Sequence, residues 1–229
     1  MELSSTYFAP TSSCVFDVND SVALAPEIPE MLIDIELQTT NGYPVAVVKT
    51  GDGALAFERA SSLFYGSAAV SNGVLLLNGY AAACGPFGVA DVTVSGAGTL
   101  GGIGGVGGSV FIENGGTLDP GALDNSIGNF TIGTNLIFSA GGNLKIDIAS
   151  EDVCDTFHVA GDIALDGGAL CPTLLPGTEY IYSEWVIATY EGTASGSMSA
   201  PEGFRVFIDA ANKQVRMVKR PFATLLLVR

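Results

Sequence analysis

Basic residues are scarce in this chain. Nine Lys and Arg stand against 24 Asp and Glu, giving a formal net charge of -15. Such a chain has little with which to neutralise phosphates, which excludes nucleic acid as a partner. Anionic lipid surfaces are excluded for the same reason. No apolar run approaches the ~20 residues that a membrane-spanning helix needs. The run 222–228 near the chain end falls far short of it. The opening MELSS lacks a basic region and an apolar core, so no signal peptide is visible. Ten-residue alternating strands with aromatic girdles, the mark of an outer-membrane barrel, are missing as well.

What is abundant is small and apolar. Hydrophobic residues make up 48% and charged residues only 14%. The 30 glycines are nearly double the usual share of about 7%. They do not recur at every third position, so tight corners explain them better than a collagen repeat.

The chain is organised around 92–121, VTVSGAGTLGGIGGVGGSVFIENGGTLDPG. Val92 and Val94 flank Thr93 at strand spacing, and Ser95-Gly96-Ala97-Gly98 is expected to break the run. Thr99-Leu100 reads as a minimal strand and recurs as Thr117-Leu118. Asp119-Pro120-Gly121 reads as a closing turn. Glycine at this density excludes a helix. Very short strands with tight corners cannot bury an apolar side alone, so each unit must stack on a near-copy of itself. Gly96, Gly98 and Gly101 spell G-x-G-x-x-G after a strand. That motif cradles a dinucleotide only where a helix begins in the glycine turn, and the following GIGGVGG will not hold one.

The segment GTLGGIGGVGGSVFIENGGTLDPGA resembles the closing repeats of autotransporter-associated β-strand repeat proteins. Upstream, 48–75 resembles the repeat itself. Lys49, Gly51, Gly53 and Leu55 match its opening, and Val70, Gly73 and Leu75 match its close. Tyr65 and Gly66 match its centre, without the residue the pattern places between them. Further on, Asp155, Val159, Gly161 and Leu165 match another unit of the family. Gly168 and Leu170 match after a one-residue insertion, and Phe157 replaces the usual leucine. The resemblance covers roughly residue 45 to the C-terminus. It implies a right-handed parallel β-solenoid from the surface-exposed passenger of a secreted bacterial protein, and says almost nothing about activity. With no signal peptide visible, the expectation is then either a segment of something longer or a chain whose signal was lost.

Elsewhere, alternation locates strands. In 31–37, MLIDIEL, Met31, Ile33, Ile35 and Leu37 share one face. Val45 to Lys49, Ala54 to Phe57 and Val74 to Leu77 read as strands, and 81–87, with Cys84, as a loop. In 144–148, LKIDI, the aliphatics should point inward, with Lys145 and Asp147 outward. Phe157, Val159, Ile163 and Leu165 should also point inward. After Pro176 glycine falls away, while Tyr180, Tyr182, Trp185 and Tyr190 accumulate. A hairpin is expected across Ala211-Asn212-Lys213. These residues read as a terminal cap.

Candidate chemistry is thin. His158, the only histidine, sits between two inward residues and should face solvent. No G-x-S-x-G elbow accompanies it. Asp147, Glu151, Asp152, Asp155, Asp162 and Asp166 form an acidic group. Paired carboxylates could serve glycoside hydrolysis or elimination, and carboxylate oxygens could hold calcium. A solvated acidic face is the plainer reading, and it also keeps stacked strands from associating sideways. The late aromatics could stack on sugars, but cap core is the plainer assignment. Asn19-Asp20-Ser21 and Asn129-Phe130-Thr131 fit a glycosylation acceptor without much meaning in a bacterial-looking chain. Cys154 and Cys171 lie about one layer apart and could oxidise. We read them instead as two unbonded thiols, because Cys154 falls in a turn and Cys171 precedes Pro172.

The expected fold is therefore all-β: a right-handed, single-stranded parallel β-helix with a C-terminal β cap. Residues 1–44 form an irregular segment or incomplete first coil, 45–175 the solenoid, and 176–229 the cap. The expected role is a non-enzymatic, structural or adhesive passenger segment, extracellular or at the bacterial cell surface. Its partner would be a surface ligand, glycan or protein. No catalytic residue, cofactor or metal is assigned. A polysaccharide-binding or polysaccharide-degrading β-helix protein is the alternative, and dispersed Lys and Arg argue against it.

Overall fold

The computed structural model describes residues 13–21, 28–34, 45–59, 66–79, 90–121, 123, 125–179 and 181–220. Every regular element among them is a β-strand. No helix there is long and apolar enough to cross a membrane. Expectations for Ile35, Leu37, Tyr65, Cys84 and Tyr180 fall outside the described residues.

The first strands are β1 (Ser13–Asp17), β2 (Met31–Ile33), β3 (Val45–Thr50), β4 (Ala54–Phe57), β5 (Gly66–Leu77) and β6 (Asp91–Gly102). Then come β7 (Gly105–Val106), β8 (Val110–Ile112), β9 (Thr117–Pro120), β10 (Asn129–Ile132), β11 (Leu136–Phe138) and β12 (Asn143–Ile148). The last are β13 (Thr156–Val159), β14 (Ile163–Ala164), β15 (Ala169–Leu174), β16 (Glu184–Tyr190), β17 (Ala194–Ser195), β18 (Phe204–Asp209) and β19 (Gln214–Lys219).

A 13-stranded sheet holds two parallel ladders. One runs β1-β3-β5-β6-β8-β11-β14-β17, and the other joins β2, β4, β5, β6, β9, β12 and β15. Strands β5 and β6 have 12 residues each and serve both ladders. A 6-stranded sheet holds the third ladder, β7-β10-β13-β16, which is parallel until β16 meets β19 antiparallel. From β8 to β17 the chain visits the three ladders in strict rotation.

Register explains why this packs. In the second ladder Leu55, Leu75, Leu100, Leu118, Leu144 and Leu170 stand opposite one another in succession. All are buried. In the third, Phe130 lies opposite Phe157, and Ile132 opposite Val159. The core is thus a set of columns of apolar side chains, the leucine column the most uniform of them.

Several expectations change. The Ser95-Gly96-Ala97-Gly98 stretch does not end a strand: β6 runs through it, with a register shift against β5 between Val70 and Asn72. Gly96, at φ +62°, bends the strand instead of breaking it. Gly73, at φ +66°, has the same left-handed backbone in β5, and a Cβ there would stand 2.4 Å from the Gly53 carbonyl oxygen. Met31, on the apolar face of its strand, is 42% exposed, and among the described strands β2 pairs only with β4. Lys49 is fully buried, with its Nζ donating to the carbonyls of Thr50, Gly51 and Asn72 at 2.7, 2.8 and 3.2 Å. Burial holds its amine below the usual lysine range, against the pull of Asp17, Asp52 and Glu30.

In the C-terminal part β16 and β17 each still add a parallel strand, to β13 and β14. Strands β18 and β19 form the expected antiparallel hairpin, with Lys213 at φ +55° in its turn. Trp185 and Tyr190 are buried, whereas Tyr182 is half exposed. Cys14, Cys154 and Cys171 are all free thiols. Cys154 is buried and bridges back to Ile148, while Cys171 is exposed and pairs across to Lys145. The two do not share a column, in keeping with the unbonded reading.

Truncating Leu118, at the middle of its column, should be costly. Leu118→Ala is expected to lower stability by about 2–5 kcal/mol, measured by urea denaturation. A loss near zero would mean that the leucine column does not hold the stack together.

Candidate functional site

The second ladder carries a cluster on its outer side. Leu118 and Leu144 stand in register between β9 and β12. The next residues along each strand are Asp119 and Lys145, and Lys145 Nζ reaches Asp119 Oδ2 at 3.0 Å. It also donates to Asn125 Oδ1 at 2.9 Å, and stands 3.5 Å from Asp147 Oδ2.

After β12 the chain folds back on itself. Ala149 and Ser150 donate to the Val153 carbonyl, and Ile148 bridges Cys154 antiparallel. This return brings Asp155 over Asp147. The Asp155 amide donates to the Asp147 carbonyl at 2.9 Å, and the Asp147 amide donates to Asp155 Oδ2 at 2.7 Å. Asp155 Oδ1 accepts from the Gly128 amide at 2.8 Å. From the other side β16 and the residue before it hold the return down: Trp185 Nε1 donates to the Ser150 carbonyl at 3.0 Å, and Ser183 Oγ to that of Glu151 at 2.8 Å.

One oxygen from each of Asp119, Asp147 and Asp155 lies within 4.8 Å of the others. Among the described residues no other group of three carboxylate, thiol or imidazole ligands is this close. The Asp147 side chain is 1% exposed, and neither of its oxygens accepts a hydrogen bond. Leaving a buried carboxylate so poorly partnered costs on the order of several kcal/mol.

Burial dominates the titration here. It raises Asp119 above the usual carboxylate range, with the Lys145 bond pulling the other way. It pushes Asp155 up to about 7, opposed by the amides of Asp147 and Gly128 and reinforced by the Asp147 and Asp119 charges. Burial also opposes charge on Lys145, but its bond to Asp119 and the neighbouring carboxylates outweigh this, so its amine is held above the ordinary value. Cys154 is pushed up to about 12 by burial and then by Asp155, so its thiol stays protonated.

Asp147 and Lys145 therefore do not point out to solvent as alternation predicted. They lie on the outer side of the ladder, but 149–155 and the chain around Gly128 cover that side. Asp119, which sequence reasoning placed in a turn, is in β9. The other members of the predicted acidic group stay apart. Glu151 and Asp152 are exposed at the tip of the return, and Asp162 and Asp166 are exposed elsewhere. Asp162 Oδ1 accepts from the Thr193 amide at 2.6 Å and its hydroxyl at 2.9 Å. His158 is half-buried, 2.9 Å from the Thr189 hydroxyl, and belongs to no cluster. A signal for Asp119 was present: aligning TLD at 117–119 with NLK at 143–145 on their leucines sets Asp119 against Lys145.

Asp155 makes stability depend on pH with a definite sign. Its folded pKa of about 7 exceeds its ordinary value of 3.8, so its contribution is full below the ordinary value and is lost as pH rises to about 7. In chelator-treated buffer the thermal midpoint of the wild type should fall faster than that of Asp155→Asn between about pH 4 and 7. Parallel curves would show that Asp155 titrates normally. No protein-family model matches the chain, and no curated protein does, so the chemistry of this cluster rests on its own geometry.

Proposed function

We propose that the chain is a non-enzymatic structural segment of a secreted or surface-displayed passenger, of the autotransporter-associated β-strand repeat type. The rotation of the chain through three parallel ladders carries this reading. It supports a right-handed single-stranded β-solenoid, in which each turn of the chain contributes one strand to each face. The repeat-like residues take places that suit such a coil: Lys49 is capped by backbone carbonyls, and Gly73 is at a bend. The antiparallel β18–β19 hairpin supports a cap within 176–229, because an antiparallel partner on β16 stops parallel stacking, whereas β16 and β17 still stack in parallel on β13 and β14.

Burial supports a non-enzymatic role. The strongest carboxylate cluster lies beneath covering segments, with Asp147 at 1% and Asp155 at 0% exposure, where a polymer chain cannot reach them. A polysaccharide-degrading protein needs its acid and base at an open surface. Incubation with pectins, alginates and host glycans is expected to give binding at most, and no turnover. Turnover that vanishes in Asp147→Asn would overturn the reading.

The cap can be tested separately. Deleting 176–229 should bare the parallel edge of β13 and cause end-to-end association, measured by light scattering. A truncated chain that stays monomeric and as heat-stable as the parent would refute the cap.

A further inference from the structure

We propose that Asp119, Asp147 and Asp155 bind a divalent cation of the calcium class, clamped between β9, β12 and the approach to β13. Three observations carry this, and none depends on the passenger reading.

The first is geometric. The three oxygens lie within 4.8 Å of one another. Two oxygens on opposite sides of a calcium ion, each at 2.3–2.6 Å, span about 5 Å. The carboxylates come from three separate places in the chain, so their convergence is a product of the fold.

The second is the state of Asp147. Its side chain is 99% buried and directed into the group, yet neither oxygen accepts a hydrogen bond of good geometry, and its one charged contact is the long ion pair to Lys145. The nearest cation, Lys145 Nζ, stands off at 3.5 Å and is already committed to Asp119 and Asn125. One ammonium faces three carboxyl groups, so whenever all three are ionised the lysine alone does not balance them, and a divalent ion would. Asp155 accepts a single amide at each oxygen, which leaves lone pairs free on both.

The third is the donor set. It is entirely hard oxygen, with no imidazole, and the nearby Cys154 sulfur is turned to the Asp155 carbonyl at 3.1 Å. Such a set suits calcium over zinc or copper. Lys145 and Asp119, with side chains 26% and 21% exposed, form the rim. An entering ion displaces the flexible Lys145 amine toward solvent and ties the two strands to the return segment.

The test uses the full chain, stripped with chelator at neutral pH and titrated with terbium. Trp185, bonded to Ser150 within the return segment, serves as the antenna. The wild type is expected to show one saturable luminescent site that calcium displaces, and calcium should raise the thermal midpoint. Asp147→Asn and Asp119→Asn should each weaken binding by at least about tenfold. Lys145→Gln, which removes the competing ammonium, should bind at least as tightly as the wild type. The proposal fails if the wild type shows no saturable site. Unchanged affinity in the folded Asp→Asn variants also defeats it, because the ion would then sit on exposed acids such as Glu151 and Asp152. Binding seen only in Lys145→Gln would identify the lysine as the resident counter-charge and overturn the proposal for the native chain. Should Asp147→Asn not fold, Asp119→Asn and Lys145→Gln decide between these outcomes.

Discussion

In-register pairing of parallel strands is the constraint on which this structure rests. A parallel ladder places each residue beside its counterpart one layer away, so whatever one layer buries the next must bury too. Column after column obeys this. Leucine stands on leucine in the second ladder, and phenylalanine on phenylalanine in the third. The glycines follow from the same rule, since corners must sit above corners with backbone close against backbone.

The same constraint creates the carboxylate cluster. Once Leu118 and Leu144 are fixed in one column, their neighbours Asp119 and Lys145 are forced together on the outer side. Alternation then sends Asp147 to that side as well. The stack itself would leave these groups in water. What buries them is local: the chain after β12 doubles back, and Trp185 pins it there. A polar outer face thereby becomes an enclosed site in which one ammonium serves three carboxylates.

This division sets how much was legible in the sequence. The inward positions of 144–148, 157–159 and 163–165 follow from period-two alternation, and they are buried as read. The hairpin around Lys213 was equally plain, because two alternating runs flank polar turn residues. Alternation reports which side of a strand a residue takes, but not what later covers that side. Asp147 was therefore read as solvated although it is enclosed. Asp119 was hidden by Asp-Pro-Gly, a sequence with strong turn chemistry that here continues a strand because Gly101 and Gly102 of β6 pair with Asp119 and Pro120. Gly96 misled in the same way: a residue that commonly ends a strand instead bends a long one.

The cluster also bears on how the chain withstands degradation. Lys145 is the only Lys or Arg between Arg59 and Arg205. It lies within β12, opposite Cys171 of β15, with its amine tied to Asp119 and Asn125. A protease that cuts after basic residues must draw an extended segment into its own cleft, and this one is held in the middle of a sheet. The long central span therefore offers trypsin-like enzymes a single target and keeps it locked.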